Sequence, residues 1–135
     1  MDEKIKGSLS GIKVLDFSTL LPGPLASLFL AETGAEVIKI ERPEVGDEIR
    51  TSYPKWGGQS ASFSMLNRGK KSLALDLKDP DSFKILKPLI KKADIIIEQF
   101  RPGVMKRLGL DYENLSKINK KLIKRGNRSR IKKII

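Results

Sequence analysis

Apolar positions in the first third of the chain change period in a regular way. Ile12-Lys13-Val14-Leu15-Asp16-Phe17 is a short β-prone run, Leu25, Leu28, Phe29 and Leu30 follow at helical spacing, and Ala35-Glu36-Val37-Ile38-Lys39-Ile40 is β-prone again. Two strands about 20 residues apart with a helix between them cannot close as a hairpin, so the pattern predicts parallel strands joined by a right-handed crossover. Leu21-Pro22-Gly23-Pro24 is the turn into the helix. Pro24 suits a first helical turn, where N–H groups have no intrahelical partner, and Gly34 can supply a left-handed cap at the other end.

A second unit of the same kind follows. The stretch Trp56-Gly57-Gly58-Gln59-Ser60 reads as an exposed loop, after which Ser72-Leu73-Ala74-Leu75-Asp76-Leu77 alternates as a strand does. Lys78-Asp79-Pro80 is turn chemistry, with Asp79 or Asp81 as the cap of a helix that turns Phe83, Leu86, Leu89 and Ile90 toward a sheet. Pro88 removes a backbone donor and collides with the carbonyl of Lys84, which predicts a kink or an early end. Ala93-Asp94-Ile95-Ile96-Ile97-Glu98 predicts a buried central strand. A short helix over 104–108, ended by Gly109, and another capped by Asp111 with Leu115 and Ile118 inward complete an α/β order with a mainly parallel sheet and flanking helices.

Composition narrows the chemistry. The chain has 135 residues, enough for one domain, with 39% hydrophobic and 32% charged positions and neither cysteine nor histidine. Disulfides, the usual zinc sites and Cys or His nucleophiles are thereby removed, and no metal site is expected. No apolar run approaches the ~18 residues of a membrane span and the first residues have no signal-like apolar core, so a cytoplasmic, soluble protein is expected. The net charge of +11 is a property of one end: residues 117–135 hold nine Lys or Arg and no acid, leaving 18 basic against 16 acidic side chains elsewhere. That tail could attract phosphates, but without aromatic residues for base stacking it makes nucleic acid an unlikely partner.

Candidate ligand groups sit where open α/β sheets bind ligands, at strand carboxyl ends. Glu41 could bond a ribose hydroxyl, while Arg42 could pair with a phosphate or stack on adenine; alternatively both merely end a strand in solvent. The turn lacks G-x-G-x-x-G, so a dinucleotide pyrophosphate could not approach it closely. Asn67-Arg68-Gly69-Lys70-Lys71 could cradle a phosphate or simply be a solvated basic turn. Asp16, Asp76 and Asp94 end apolar runs and read as turn caps.

Several motifs occur together in order: Leu15-Asp16-Phe17, Pro22-Gly23-Pro24, Gly34-Ala35-Glu36-Val37-Ile38-Lys39-Ile40-Glu41-Arg42-Pro43, Gly46-Asp47, Asn67-Arg68-Gly69-Lys70-Lys71-Ser72, Leu75-Asp76-Leu77-Lys78 and Phe100-Arg101-Pro102-Gly103. This series resembles the beginning of the class III CoA-transferases, a family that includes formyl-CoA and carnitine CoA-transferases and α-methylacyl-CoA racemases. The resemblance implies a Rossmann-like CoA-binding domain over residues 9–123, incomplete relative to the full family fold, after a leader at 1–8. It also implies roles along CoA for Leu20, Leu21 and Pro22, for Arg42 beside the adenosine, for Leu75 and Lys78 near the adenine and its phosphates, and for Gln99, Phe100 and Arg107. The family moves CoA from an acyl-CoA to a carboxylic acid through an aspartate nucleophile, and its members form interlocked homodimers. Here residues 124–135 depart from the family pattern as a basic tail, expected to be poorly ordered or loosely helical, and no catalytic residue can be assigned. The sequence therefore predicts the CoA-binding part of a transferase, inactive as a truncated or frame-shifted product. A racemase fragment and a stand-alone CoA or nucleotide module are the alternatives.

Overall fold

In a computed structural model, which describes residues 7–126, both strand–helix–strand units form. The elements are β1 (Lys13–Asp16), α1 (Pro22–Glu32), β2 (Glu36–Glu41), a hairpin of β3 (Lys55–Trp56) and β4 (Gln59–Ser60), α2 (Ala61–Asn67), β5 (Lys71–Ala74), α3 (Pro80–Lys92), β6 (Ile95–Ile97), α4 (Val104–Arg107), α5 (Tyr112–Ile118) and β7 (Ile123–Arg125). Five strands make one sheet in the order β5-β2-β1-β6-β7, and every pairing in it is parallel. The chain thus builds outward from β1 on one side and then on the other. Between β1 and β6 the direction of winding reverses, which opens a crevice at their carboxyl ends. The architecture is Rossmann-like.

Period-two alternation divides the core between the two faces of the sheet. Val14, Val37 and Ile97 pack on one side with Ala35, Leu30 and Ala31. Leu15, Ile40 and Ile96 pack on the other with Leu86 and Ile90 of α3, Met105 of α4 and Leu115 of α5. Gly34 ends α1 at φ +105, with its N–H on the carbonyl of Ala31 and the Ala35 N–H on that of Leu30, the double bond pattern of a Schellman cap.

Four expectations need correction and a fifth is refined. The buried stripe of α1 is Pro24, Ser27 and Leu28, spaced i, i+3, i+4, and it turns Phe29 outward to 62% exposure. Pro88 does not end α3, which continues to Lys92. Lys84 and Pro88 are both exposed, so the carbonyl deprived of its donor lies on the solvent side. The stretch around Trp56 is exposed as expected but forms a hairpin with a two-residue turn, in which Gly57 and Gly58 both adopt positive φ, at 57° and 79°. Asp111 does not cap α5 with its carboxylate, which instead accepts from the Asn114 side chain at 2.5 Å. Finally, β7 takes in Lys124 and Arg125, which pair with Ile96 and Ile97 although the sequence assigns them to the tail. The remaining tail, 127–135, and residues 1–6 of the leader lie outside the described residues. Among the described residues, no helix is long and apolar enough to cross a membrane.

Asn119 closes the carboxyl end of α3 from a distance in sequence. Its side-chain amide donates to the carbonyls of Ile90 (2.9 Å) and Ala93 (2.7 Å), while its Oδ1 accepts the Lys121 N–H at 3.1 Å. Asn119→Ala should therefore lower unfolding free energy by about 1–3 kcal/mol, the range for leaving the part-buried Ala93 carbonyl without this donor while Ile90 keeps the Ala93 N–H, as measured by urea denaturation.

Candidate functional site

The sheet face beneath α1 is apolar at its amino end and charged at its carboxyl end. Val14 is followed two residues on by Asp16, and Val37 by Lys39 and Glu41; all three charged residues are buried. Strand register sets Asp16 opposite Lys39 and Lys39 opposite Ser72. Loops then bring Asp47, Arg50 and Lys70 to the same place, so three acids meet three bases.

Each charge is held by several partners. Asp16 accepts from the Ser18 N–H (2.8 Å), the Ser18 hydroxyl and the Ser27 hydroxyl (2.5 Å), with the Lys70 ammonium at 3.5 Å. Lys39 Nζ lies 2.9 Å from Asp47 Oδ2 and donates to the Ser18 carbonyl at 2.8 Å. Asp47 Oδ1 accepts the backbone N–H groups of Leu20 and Ile49, both at 3.0 Å. Glu41 receives Arg50 in a two-pronged pair (2.8 and 2.6 Å), the Asp47 N–H (2.9 Å) and the Ser72 hydroxyl (2.9 Å). Arg50 also stacks 3.7 Å from the centre of the Phe63 ring.

Two ionisations are displaced as a result. Burial pushes the Glu41 carboxyl up, but the hydrogen bonds from Arg50, the Asp47 N–H and Ser72 outweigh it and bring the pKa down to about 2. Burial brings Lys70 down to about 8, against the opposing pull of Asp16 and with help from Lys39.

This network overturns two expectations. Both Glu41 oxygens are committed inside the protein, so the carboxylate is not free for a ribose hydroxyl. Lys70 cannot belong to a phosphate cradle: its ammonium is 2% exposed and donates to the Pro24 carbonyl (2.8 Å) and Asn67 Oδ1 (2.9 Å). Asp76 does act as a turn cap, accepting the Lys78 N–H at 3.0 Å, whereas Asp94 reaches a distant strand, accepting the Lys13 N–H at the start of β1 at 2.9 Å. Asp16 caps its turn through the Ser18 N–H and is also a buried hub.

The residues singled out by the sequence fall into three groups around the strand carboxyl ends. Leu20, Leu21 and Pro22 follow β1; Leu20 and Leu21 are about half exposed, and Leu20 has φ +64. Gln99 reaches them from the end of β6, donating to the Thr19 carbonyl at 2.5 Å, and its buried Oε1 has no hydrogen-bond partner among the described residues. Arg42 stands alone after β2, exposed and paired with Glu48 at 2.7 Å. Lys78 and Arg107 line one cleft of about 790 Å³, whose apolar walls include Leu77, Phe83, Leu86 and Leu108. Leu75 is buried in the core beside that loop, and Phe100 packs half-buried against the same core.

The first turn of α1 is a poor phosphate site, as its composition implies. Pro22 and Pro24 have no N–H and the Leu25 N–H bonds the Leu21 carbonyl, so Gly23 has the one free donor of that turn. Gly23 is required by close packing, since a Cβ there would lie 2.2 Å from that of Ser18. Among the described residues no cluster of three or more acidic, His or Cys side chains could hold a metal ion.

A parallel sheet with a reversal between β1 and β6 and helices on its faces defines a Rossmann-like α/β protein. Residues 9–125 match CoA-transferase family III, and the chain belongs to that family. It is 48% identical over 120 residues to the acetyl-CoA:oxalate CoA-transferase of Acetobacter aceti, covering 89% of this chain and 31% of that one. It is 43% identical over 111 residues to the human succinyl-CoA:glutarate CoA-transferase, covering 82% and 25%. The crystal structure of a CAIB/BAIF family protein from Brucella suis superposes with a TM-score of 0.83 at 37% identity, covering 90% of this chain and 33% of that one. The chain thus spans between a quarter and a third of the length of these relatives.

The depressed Glu41 pKa fixes a pH dependence. A carboxyl at about 2 in the fold, against the ordinary 4.5, contributes stability that is complete above about 4.5 and lost as pH falls toward about 2. Glu41→Gln should remove on the order of 3 kcal/mol at neutral pH and flatten this acid limb, as urea denaturation from pH 2.5 to 7 would read.

Proposed function

We propose that this chain is the CoA-binding portion of a class III CoA-transferase, an enzyme that moves CoA from an acyl-CoA to a carboxylic acid. The observation that carries this reading is the cleft bounded by Lys78 and Arg107 at the carboxyl edge of the sheet. CoA combines a diphosphate, a phosphorylated ribose and a long uncharged arm. An ammonium and a guanidinium beside apolar walls match that combination, the cations serving phosphate oxygens and Leu77, Phe83 and Leu108 serving the arm. Leu20, Leu21, Pro22, Gln99 and Phe100 would line the path from this cleft across the β1–β6 crevice. Arg42 would meet the adenosine end; its exposed pair with Glu48 is weak enough to exchange for a phosphate. The activities of the two relatives support the reaction class, since the name of each pairs an acyl-CoA with a dicarboxylate.

Transfer requires a carboxylate nucleophile that reaches a thioester. Asp16, Glu41 and Asp47 are buried and fully engaged, so none of them is available for that attack. The chain alone should therefore bind CoA without turning over an acyl-CoA, and thioester loss above a protein-free control would refute this.

Binding itself is tested by calorimetric titration, with circular dichroism to establish that each protein is folded. Lys78→Ala and Arg107→Ala should each cost about 1–3 kcal/mol in CoA affinity, the range for a charge-assisted contact partly replaced by water. Wild type should prefer CoA to dephospho-CoA, and Arg42→Ala should lose that preference. An equal loss for both ligands would assign Arg42 to stacking instead, and no change would remove it from the site.

A further inference from the structure

We propose that the buried Lys39–Asp47 pair positions the ligand-facing loop after β1, locking it to the loop after β2 so that the two loops move as one body. The proposal rests on the CoA reading of that loop. The two side chains are 1% and 0% exposed, so the pair touches no ligand and can act only through what it holds. Lys39 holds the Ser18 carbonyl at 2.8 Å; Asp47 holds the Leu20 N–H at 3.0 Å. Together they fix the loop on both sides of Thr19, whose carbonyl is the anchor for Gln99.

Leu20 shows why such a clamp is needed. Its φ of +64 lies in the left-handed region that a leucine does not adopt unaided, and its side chain is 47% exposed, so core packing does not impose the conformation. Asp47 belongs to the segment that follows Arg42, and its own N–H is held by Glu41 at the end of β2. An apolar pair of the same volume would fill the space and leave the Ser18 carbonyl and the Leu20 N–H without these partners. The charges are thus retained for direction.

Residue-resolved amide exchange of the wild-type chain gives the first reading. Leu20, outside any helix or strand, should exchange at least about a hundredfold slower than a free peptide, and a rate near the peptide value overturns the proposal. Two double variants then remove both charges and differ only in the acceptor: Lys39→Met with Asp47→Asn keeps an oxygen for the Leu20 N–H, and Lys39→Met with Asp47→Ala does not. In the second, Leu20 should exchange at least about tenfold faster than in the first, with Val14 and Leu15 of β1 unchanged, and CoA should bind about tenfold more weakly. Equal Leu20 exchange in the two variants, or loosening of β1 in step with Leu20, overturns it. If either double variant fails to fold, the wild-type rate decides. A wild type that protects Leu20 yet does not bind CoA refutes the CoA reading and leaves the clamp standing.

Discussion

Everything at the carboxyl edge of this sheet depends on keeping charge dry beneath α1. Asp16, Lys39 and Asp47 are at most 1% exposed, where an unpaired charge would cost several kcal/mol, so each must be met by partners of fixed geometry. Hydroxyls of Ser18 and Ser27, the Ser18 carbonyl and the Leu20 amide meet that need. The requirement runs in both directions: the partners neutralise the charges, and the charges dictate where the partners stand. Because those partners are the backbone of the loop after β1 and the first turns of α1, solvation demand becomes loop geometry.

Topology gives that geometry its use. Reversal between β1 and β6 leaves a crevice that no crossover helix covers, and the clamped loop forms one side while the loop after β6 forms the other. Gln99 spans the two. The cleft of Lys78 and Arg107 lies farther along the same edge, on the side of the sheet covered by α3 and α4. Its cations stay exposed and lightly engaged, in contrast to the spent charges under α1. Proteins often divide charge in this way, with one set consumed in building the site and another left available to a ligand.

Much of the fold was legible because it follows from periodicity: both strand–helix–strand units, the Asp79 cap and the Gly34 cap all obey local rules. What escaped was decided by three-dimensional neighbours. Phe29 has helical spacing with Leu25 and Leu28, yet the direction of the stripe is set by where α1 meets β1 and β2. Lys39 lies inside an apolar run with nothing local to assign it a partner, and the alternation Val37-Lys39-Glu41 was the available signal for a charged inner face. Glu41 and Arg42 show the limit most clearly. Adjacent strand residues point to opposite faces, so one neighbour turned in to Arg50 and the other out to solvent, and no ligand could share both.

The outer strands of the sheet have a separate consequence, for association between molecules. In the described residues β5 and β7 stand at the two ends of the ladder, with backbone groups open on one side. Unprotected edges of this kind recruit further strands and nucleate aggregates. Here the open strands carry exposed Lys71 on one edge and Arg125 on the other, so edge-to-edge stacking of two molecules would crowd cations together and expose the growing ribbon to repulsion. The same residues that raise the protein's charge thereby guard the sheet against extension, and neutralising them would convert a bounded ladder into one that can propagate.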